Sequence, residues 1–301
     1  MAVGNRALAG LRRSSIWPYL QLLRPPNLLT AAADILAGYA AAGLPDIRAL
    51  PWLLLATIGL YGGGVALNDV CDAKVDARER PERPIPSGRV GRRGAALLGM
   101  ALLAAGIGAA GQARPVSGAL ALGIAAAAVL YNAWGKRHPI LGPLNMGACR
   151  GLNLLLGVSA APALLRERYY LALIPVLYIA AITAVGAGEV HGGKRGTGGV
   201  ALGLLGVVGI GLLALTWRSG WEWLARLPFL ALFVWRVVPP FWRAYREPQP
   251  GPIRGAVQAG VLSLIVLDAA IAAGYAGPLY GLIVLALLIP AAPLARWFAV
   301  T

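Results

Sequence analysis

The chain of 301 residues is 58% hydrophobic, only 13% of it is charged, and its mean hydropathy is +0.68, which excludes an ordinary soluble domain. Lys and Arg outnumber Asp and Glu by 27 to 12, a formal charge of +15, but the basic residues are dispersed through alternate connections, which argues against a nucleic-acid partner. Two cysteines, Cys71 and Cys149, cannot build a disulfide framework and are expected to be reduced and buried.

In chain order, residues 1–21 read as a basic cytosolic lead-in, with Arg6, Arg12 and Arg13 and an apolar stretch too short for a signal-peptide core. Apolar runs follow at 22–43, 50–70, 94–112, 116–134, 140–161, 169–188, 199–217, 224–242, 257–275 and 278–297. Each is close to the roughly 20 residues that cross a bilayer as a helix, and none alternates as a barrel strand does. The expected fold is all-α, a polytopic transmembrane bundle forming one domain over 22–301, with halves 22–161 and 162–301. The 40 glycines scattered through these runs allow close helix approach in lipid.

Within the first span, Asn27 and Asp34 are seven residues apart and face one side of a helix. An acid there points inward, either to a bound acceptor or to an interhelical partner such as Arg150. The second span ends in Asn68-Asp69-Val70-Cys71-Asp72-Ala73-Lys74-Val75-Asp76. Asp72 and Asp76 are four apart, Asp69 three before Asp72 and Asn68 four before it, so a helix gathers them on one face. Carboxylates at that depth are costly unless they meet a cation, and hard oxygen ligands of this kind suit Mg²⁺ completed by water and a phosphate-bearing substrate. Arg78, Arg80, Arg83, Arg89, Arg92 and Arg93 follow, broken by Pro81, Pro84 and Pro86. Metal ligands followed by arginines would hold a diphosphate from two sides; the plainer alternative is a solvated, positively charged anchor.

The heavily basic connections lie at the N-terminus, at 78–93, at Lys136 and Arg137, at Lys194 and Arg195, and at 236–254. The intervening ones are lighter: Asp46 with Arg48, Arg114, Arg166 to Arg168, and Arg218 with Glu222. By the positive-inside rule the N-terminus and the loop after Asn68 are cytosolic, in a bacterial-type inner membrane or its equivalent. Trp217, Trp221 and Trp223 read as interface markers, His138 as a solvated loop residue, and Gly196 to Gly199 as a flexible turn. Asp268 is a single acid in a late span, suited to helix pairing or ligand contact.

The segment from Asn68 to Arg89 resembles the first acidic motif of the UbiA superfamily of intramembrane prenyltransferases, including its Arg-Pro-x-Arg-Pro-Ile-Pro-Ser-Gly stretch. Leu23 to Gly38, Leu130 to Arg137 and Arg150 to Gly157 are similar to that family's neighbouring elements, in the same order. The resemblance implies a bundle of nine helices, against the ten of the hydropathy pattern, around a cavity open to lipid. It implies transfer of a polyprenyl group from an isoprenoid diphosphate, ionised with Mg²⁺, to a hydroxybenzoate, quinone precursor, tetrapyrrole, glycerol phosphate or other small acceptor. It further implies metal ligation by Asn68, Asp69, Asp72 and Asp76, and substrate binding by Arg24, Asn27, Asp34, Arg83, Lys136 and Arg150. Tyr131 would act beside Asp72 and Asp76 in catalysis, its ring face toward an allylic cation. The family's second acidic motif, Asp-x-x-Gly-Asp, corresponds to Glu189, Gly192 and Gly193, so Glu189 is its one acid, with His191 nearby to assist. Loss of the acid at Gly193 leaves open a second reading, a non-catalytic isoprenoid-binding or carrier protein that keeps the fold.

Overall fold

The computed structural model describes residues 14–215, 224 and 226–298, and all regular structure in them is helical. Trp217, Trp221, Trp223, Arg218 and Glu222, and the basic residues Arg6, Arg12 and Arg13, lie outside the described residues.

A short helix α1 (Trp17–Leu23) leads into α2 (Pro25–Ala41), followed by α3 (Ala49–Glu79), α4 (Arg92–Ala113) and α5 (Pro115–Ala133). A 3₁₀ turn at Gly135–Arg137 leads to α6 (Leu141–Val158), then α7 (Pro162–Arg168), α8 (Leu173–Gly186) and α9 (Arg195–Ala214). The chain ends in α10 (Leu227–Arg246), α11 (Pro250–Ala276), α12 (Pro278–Leu285) and α13 (Leu288–Leu294). Proline opens α2, α5, α7, α11 and α12, where its missing N–H is no loss and its fixed φ suits the first turn.

Six helical stretches among the described residues are long and apolar enough to cross a membrane: 49–79, 92–113, 115–133, 162–186, 195–214 and 250–276. Burial separates their positions in the bundle. The most apolar window of α11 is 83% buried against 28% for α4, α5 and α9, which places α11 at the centre and leaves the other three with broad faces for lipid. Hydropathy suggests one span over 278–297; the chain instead makes two helices of 8 and 7 residues there. The apolar run 257–275 lies inside the 27-residue α11.

Helix α3 positions the acidic motif. Its 31 residues rise about 46 Å, against a hydrocarbon core of about 30 Å, so its last three turns extend to the membrane edge. Asn68 to Asp76 ride on that extension. The register between α2 and α6 depends on two glycines: a Cβ at Gly38 would lie 2.9 Å from Gly157 Cα, and one at Gly157 would lie 2.9 Å from Gly38 Cα. This close crossing carries Arg150 on α6 to the wall formed by α2.

Cys71 is exposed and Cys149 only partly buried, so the expectation of two buried thiols is corrected for Cys71.

Candidate functional site

At the membrane-edge end of α3, every carboxylate of the acidic motif meets a cation from another element. Asp69 accepts from Arg24 at 3.0 Å and lies 3.6 Å from Arg83. Asp76 accepts from Arg83 at 2.8 Å, and Asp72 from Lys136 at 2.5 Å. Asp69 and Asp76 are buried, at 4% and 5% exposure, whereas Asp72 stands at the edge of a cavity of about 380 Å³ shared with Cys71, Val75, Arg92, Asn132, Ala133, Lys136 and Arg137. Asn68 is half-buried one residue before Asp69.

Local structure explains how these cations arrive. Arg24 has φ 49°, a left-handed conformation that ends α1 and turns the chain into the prolines of α2. A non-glycine residue there carries about 1–3 kcal/mol of strain, sustained here by its ion pair with Asp69. Arg83 belongs to the proline-broken loop after α3, whose positive-φ Gly88 reverses the chain. Arg89 Nη1 donates to Gln21 Oε1 at 2.7 Å and Arg92 Nε to the Val70 carbonyl at 3.1 Å, fastening the loop to α1 and α3. Lys136 is placed by the 3₁₀ turn after α5, and His138 Nδ1 accepts from the Leu141 amide at 3.1 Å, capping α6. His138 is thus an exposed helix cap.

The second-half acid reaches the same end of the bundle. Glu189, 7% exposed, lies 3.5 Å from Arg80 across 109 residues of sequence. Helical spacing pairs Arg80 with Asp76, but α3 ends at Glu79 and Arg80, at φ −144°, leaves the helix, so its side chain goes to Glu189 and Asp76 takes Arg83. Residues 187–194 are not helical: α8 ends at Gly186, Gly192 has φ 87°, and the Gly193 amide donates to the Pro248 carbonyl at 2.9 Å. Glu189 and Gly193 therefore do not share a helical face. His191 is exposed, and Gly196 to Gly199 form the first turn of α9, with Gly198 against Tyr245.

Deeper in the bundle a polar ladder runs from this site along α2, α3 and α6. Asn27 donates to the Tyr61 hydroxyl at 3.1 Å, and the Arg150 guanidinium lies 5.1 Å from the centre of the Tyr61 ring. Arg150 also donates to Thr30 and, at 2.7 Å, to Asp34. Asn153 donates to Asp34 at 2.9 Å and accepts from Thr57 at 2.8 Å. Asp34 is fully buried and engaged, so of its two expected roles the structure has the interhelical pair with Arg150. Tyr131 is half-buried on α5, with Asp72, Cys149, Arg24 and Tyr61 in electrostatic reach of its hydroxyl. Tyr61 escapes sequence reasoning because an aromatic residue in an apolar span resembles core; its spacing of seven from Asn68 and eleven from Asp72, one helix face, is the signal that marks it.

No group of three His, Cys, Asp or Glu side chains among the described residues is gathered as a ready metal cage. The donor set nevertheless fits Mg²⁺, which takes one or two carboxylates and relies on substrate phosphates for the rest. Asp69 and Asp76 lie close enough to share one guanidinium, and Asp72 is on the same face of α3.

The matched relatives agree with this architecture. Digeranylgeranylglyceryl phosphate synthase from Methanopyrus kandleri is 43% identical over 93 residues, covering 31% of this chain and 34% of that protein. The synthase of the same name from Ignicoccus hospitalis is 43% identical over 88 residues, 29% of each chain. These alignments span about a third of the relatives' length. Among solved structures, an apo UbiA homologue from Aeropyrum pernix superposes with a TM-score of 0.70 at 18% identity, covering 81% of this chain and 96% of that one. A UbiA homologue from Archaeoglobus fulgidus bound to GPP and Mg²⁺ gives 0.68 at 17% identity, covering 89% and 99%. The fold is therefore shared with these two solved structures. A sequence profile of the UbiA prenyltransferase family matches residues 28–251, well over half of the chain, and the protein belongs to that family.

Proposed function

We propose that this protein transfers a polyprenyl group from an isoprenoid diphosphate to a small acceptor within the membrane, with Mg²⁺ as cofactor and the acidic face of α3 as the diphosphate site. The observation that carries the reading is the pairing of Asp69, Asp72 and Asp76 with Arg24, Arg83 and Lys136 from three separate elements. Such a set supplies both metal ligands and phosphate ligands in direct contact with one another. In this reading Asn68, Asp69, Asp72 and Asp76 hold Mg²⁺, with Glu189 from the second half. Arg24, Arg83 and Lys136 then turn from the carboxylates to the diphosphate oxygens.

Bound Mg²⁺ supplies Lewis-acid stabilisation of the leaving diphosphate. Arg24, Arg83 and Lys136 add charge-assisted hydrogen bonds that strengthen as negative charge gathers on the bridging oxygen during C–O cleavage. Tyr131, near Asp72, offers its ring face to the allylic carbon, while Asn27, Tyr61 and Arg150 form the inner wall where the acceptor meets it. The acceptor oxygen or carbon forms the new bond and loses a proton. The names of the matched relatives favour a glycerol-phosphate acceptor over an aromatic one.

The N-terminal segment and both acid-bearing loops are cytosolic in this reading, the whole of 22–301 is one domain, and nine or ten helices span the membrane. The link between Arg80 and Glu189 supports it, because it brings residues 80–91 and 187–194 to one end of the bundle. The second reading, an isoprenoid-binding or carrier protein without turnover, is favoured by one observation: Glu189, the acid of the degraded motif, is already occupied by Arg80. Purified protein in detergent, given geranylgeranyl or farnesyl diphosphate with glycerol-phosphate and aromatic acceptors, decides between them. Mg²⁺-dependent diphosphate release that is lost in Asp72→Ala and Asp76→Ala supports the transferase; binding without release supports the carrier.

A further inference from the structure

The polar ladder ends in a second carboxylate that the proposed chemistry leaves unused. Asp268 on α11 is fully buried, as is Asp34 on α2; the two helices pack against each other, and both carboxyls act electrostatically on the Arg150 guanidinium. Asp34 Oδ2 receives Arg150 and Asn153, but Asp34 Oδ1 and both oxygens of Asp268 receive no donor from the protein. Ionised carboxylates are acceptors only, so two of them close together repel; a proton on one supplies the missing donor. Charge gives the same answer. Two carboxylates beside one guanidinium leave a net −1 in a low-dielectric interior, and one proton brings the group to zero.

We propose that Asp34 and Asp268 hold a single proton between them and, with Arg150, form an electroneutral triad that locks α11 to α2 and α6 and sets Arg150 beside Tyr61. The triad joins the two halves of the sequence, since Asp34 and Arg150 come from the first and Asp268 from the second. Asp268 is then a positioning residue: it satisfies Asp34, Asp34 orients the guanidinium, and the guanidinium sits against the Tyr61 ring. Only the meeting of Arg150 with substrate rests on the function proposed above.

Infrared spectroscopy of the purified protein, with no substrate present, tests the proton directly. The parent should show the carbonyl stretch of a neutral carboxylic acid, and both Asp34→Asn and Asp268→Asn should lose it. Asp268→Asn keeps the Asp34 charge for Arg150 and a donor between the two side chains, so its Tm should stay near that of the parent, whereas Asp34→Asn leaves Arg150 only Asp268 as counter-charge and should lower it. Asp34→Asn/Asp268→Asn strands Arg150 without a counter-charge, and its Tm should fall by more than the two single changes together. A parent spectrum without that band, or a band that survives both single substitutions, overturns the proposal. So does a double variant as stable as the singles. The parent spectrum needs no variant to fold, and a protein that shows the band but transfers no prenyl group would sink the proposed function while leaving the triad standing.

Discussion

Removing Arg83 should tighten Mg²⁺ binding while weakening diphosphate binding. In the structure Asp69, Asp72, Asp76 and Glu189 are each engaged by a cation, Arg24, Lys136, Arg83 and Arg80 respectively, so the site is balanced before any metal arrives. A divalent ion entering alone adds positive charge to a neutral site, and it enters readily only with the anionic diphosphate. In Arg83→Ala, Asp69 keeps Arg24, but Asp76, 5% exposed, loses its one ion-pair partner among the described residues. Stranding a buried carboxylate in this way costs about 3 kcal/mol of stability in metal-free protein. A guanidinium about 6 Å from a divalent ion, at an effective dielectric of about 40, repels it by about 3 kcal/mol, or a hundredfold in affinity. Titration calorimetry with Mg²⁺ alone should therefore show tighter binding by one to two orders of magnitude, within the reach of that ~3 kcal/mol. Thermal unfolding should show a lower metal-free Tm that Mg²⁺ restores. Diphosphate affinity should fall, because a phosphate ligand is gone. If Arg83→Ala binds Mg²⁺ no better than the parent, the carboxylates of α3 are not the metal site and the charge-balance reasoning fails.

The opposite change, Glu189→Gln, removes a negative charge, so calorimetry should report weaker Mg²⁺ binding; unchanged affinity would place Glu189 outside the metal's reach. Gly193→Asp should not improve Mg²⁺ affinity, because its backbone leaves helical geometry and a Cβ there would lie 3.1 Å from Ile253, and a gain in the same titration would contradict that geometry. Single cysteines at the exposed positions Ser87 and Thr197 should label from the cytosolic side and one at Asp46 from the other, in a background with exposed Cys71 changed to serine; labelling of Ser87 and Thr197 from opposite faces would break the proposed topology. Gly157→Leu should wedge α2 from α6 and lower stability by about 2 kcal/mol or more, read as a drop in Tm.

The acidic face was legible in the sequence because its chemistry is local. Asn68, Asp69, Asp72 and Asp76 fall on one helix at spacings that a helix must bring together, and charge in an apolar chain is conspicuous. The cations that pair with the acidic face were not legible as its partners, because each is remote: 45 residues separate Arg24 from Asp69 and 64 separate Lys136 from Asp72, whereas the pairing of Asp34 with Arg150 was one of two roles the sequence offered. Only packing decides such pairs. Hydropathy located the apolar runs but could not see that 278–297 breaks into two helices, or that α11 is central and α4, α5 and α9 peripheral, since all four are similarly apolar. Arg80 shows where spacing stops being a guide: it stands four residues after Asp76, but the spacing rule holds only while the helix lasts, and α3 ends at Glu79.

Drawing the cations from elsewhere has a consequence for how the site assembles. The acids lie on one continuous helix and would repel one another if α3 formed alone at the membrane edge. Their neutralisation requires α1 to meet α2 at the strained Arg24, the loop to fold back on α3 through Arg89 and Arg92, and the turn after α5 to deliver Lys136. Arg80 then needs the turn after α8 for its partner Glu189. Docking of α1, the loop, α5 and α8 is therefore coupled electrostatically to the charge state of α3. Beneath these pairs, Arg150 is held by Asp34, Thr30 and the Tyr61 ring, and Asn27 donates to the Tyr61 hydroxyl. The ion pairs that gather α1, the loop, α5 and α8 around the acids of α3 and the contacts that join α2 to α6 and α11 are thus two distinct networks, one at the end of the bundle and one beneath it.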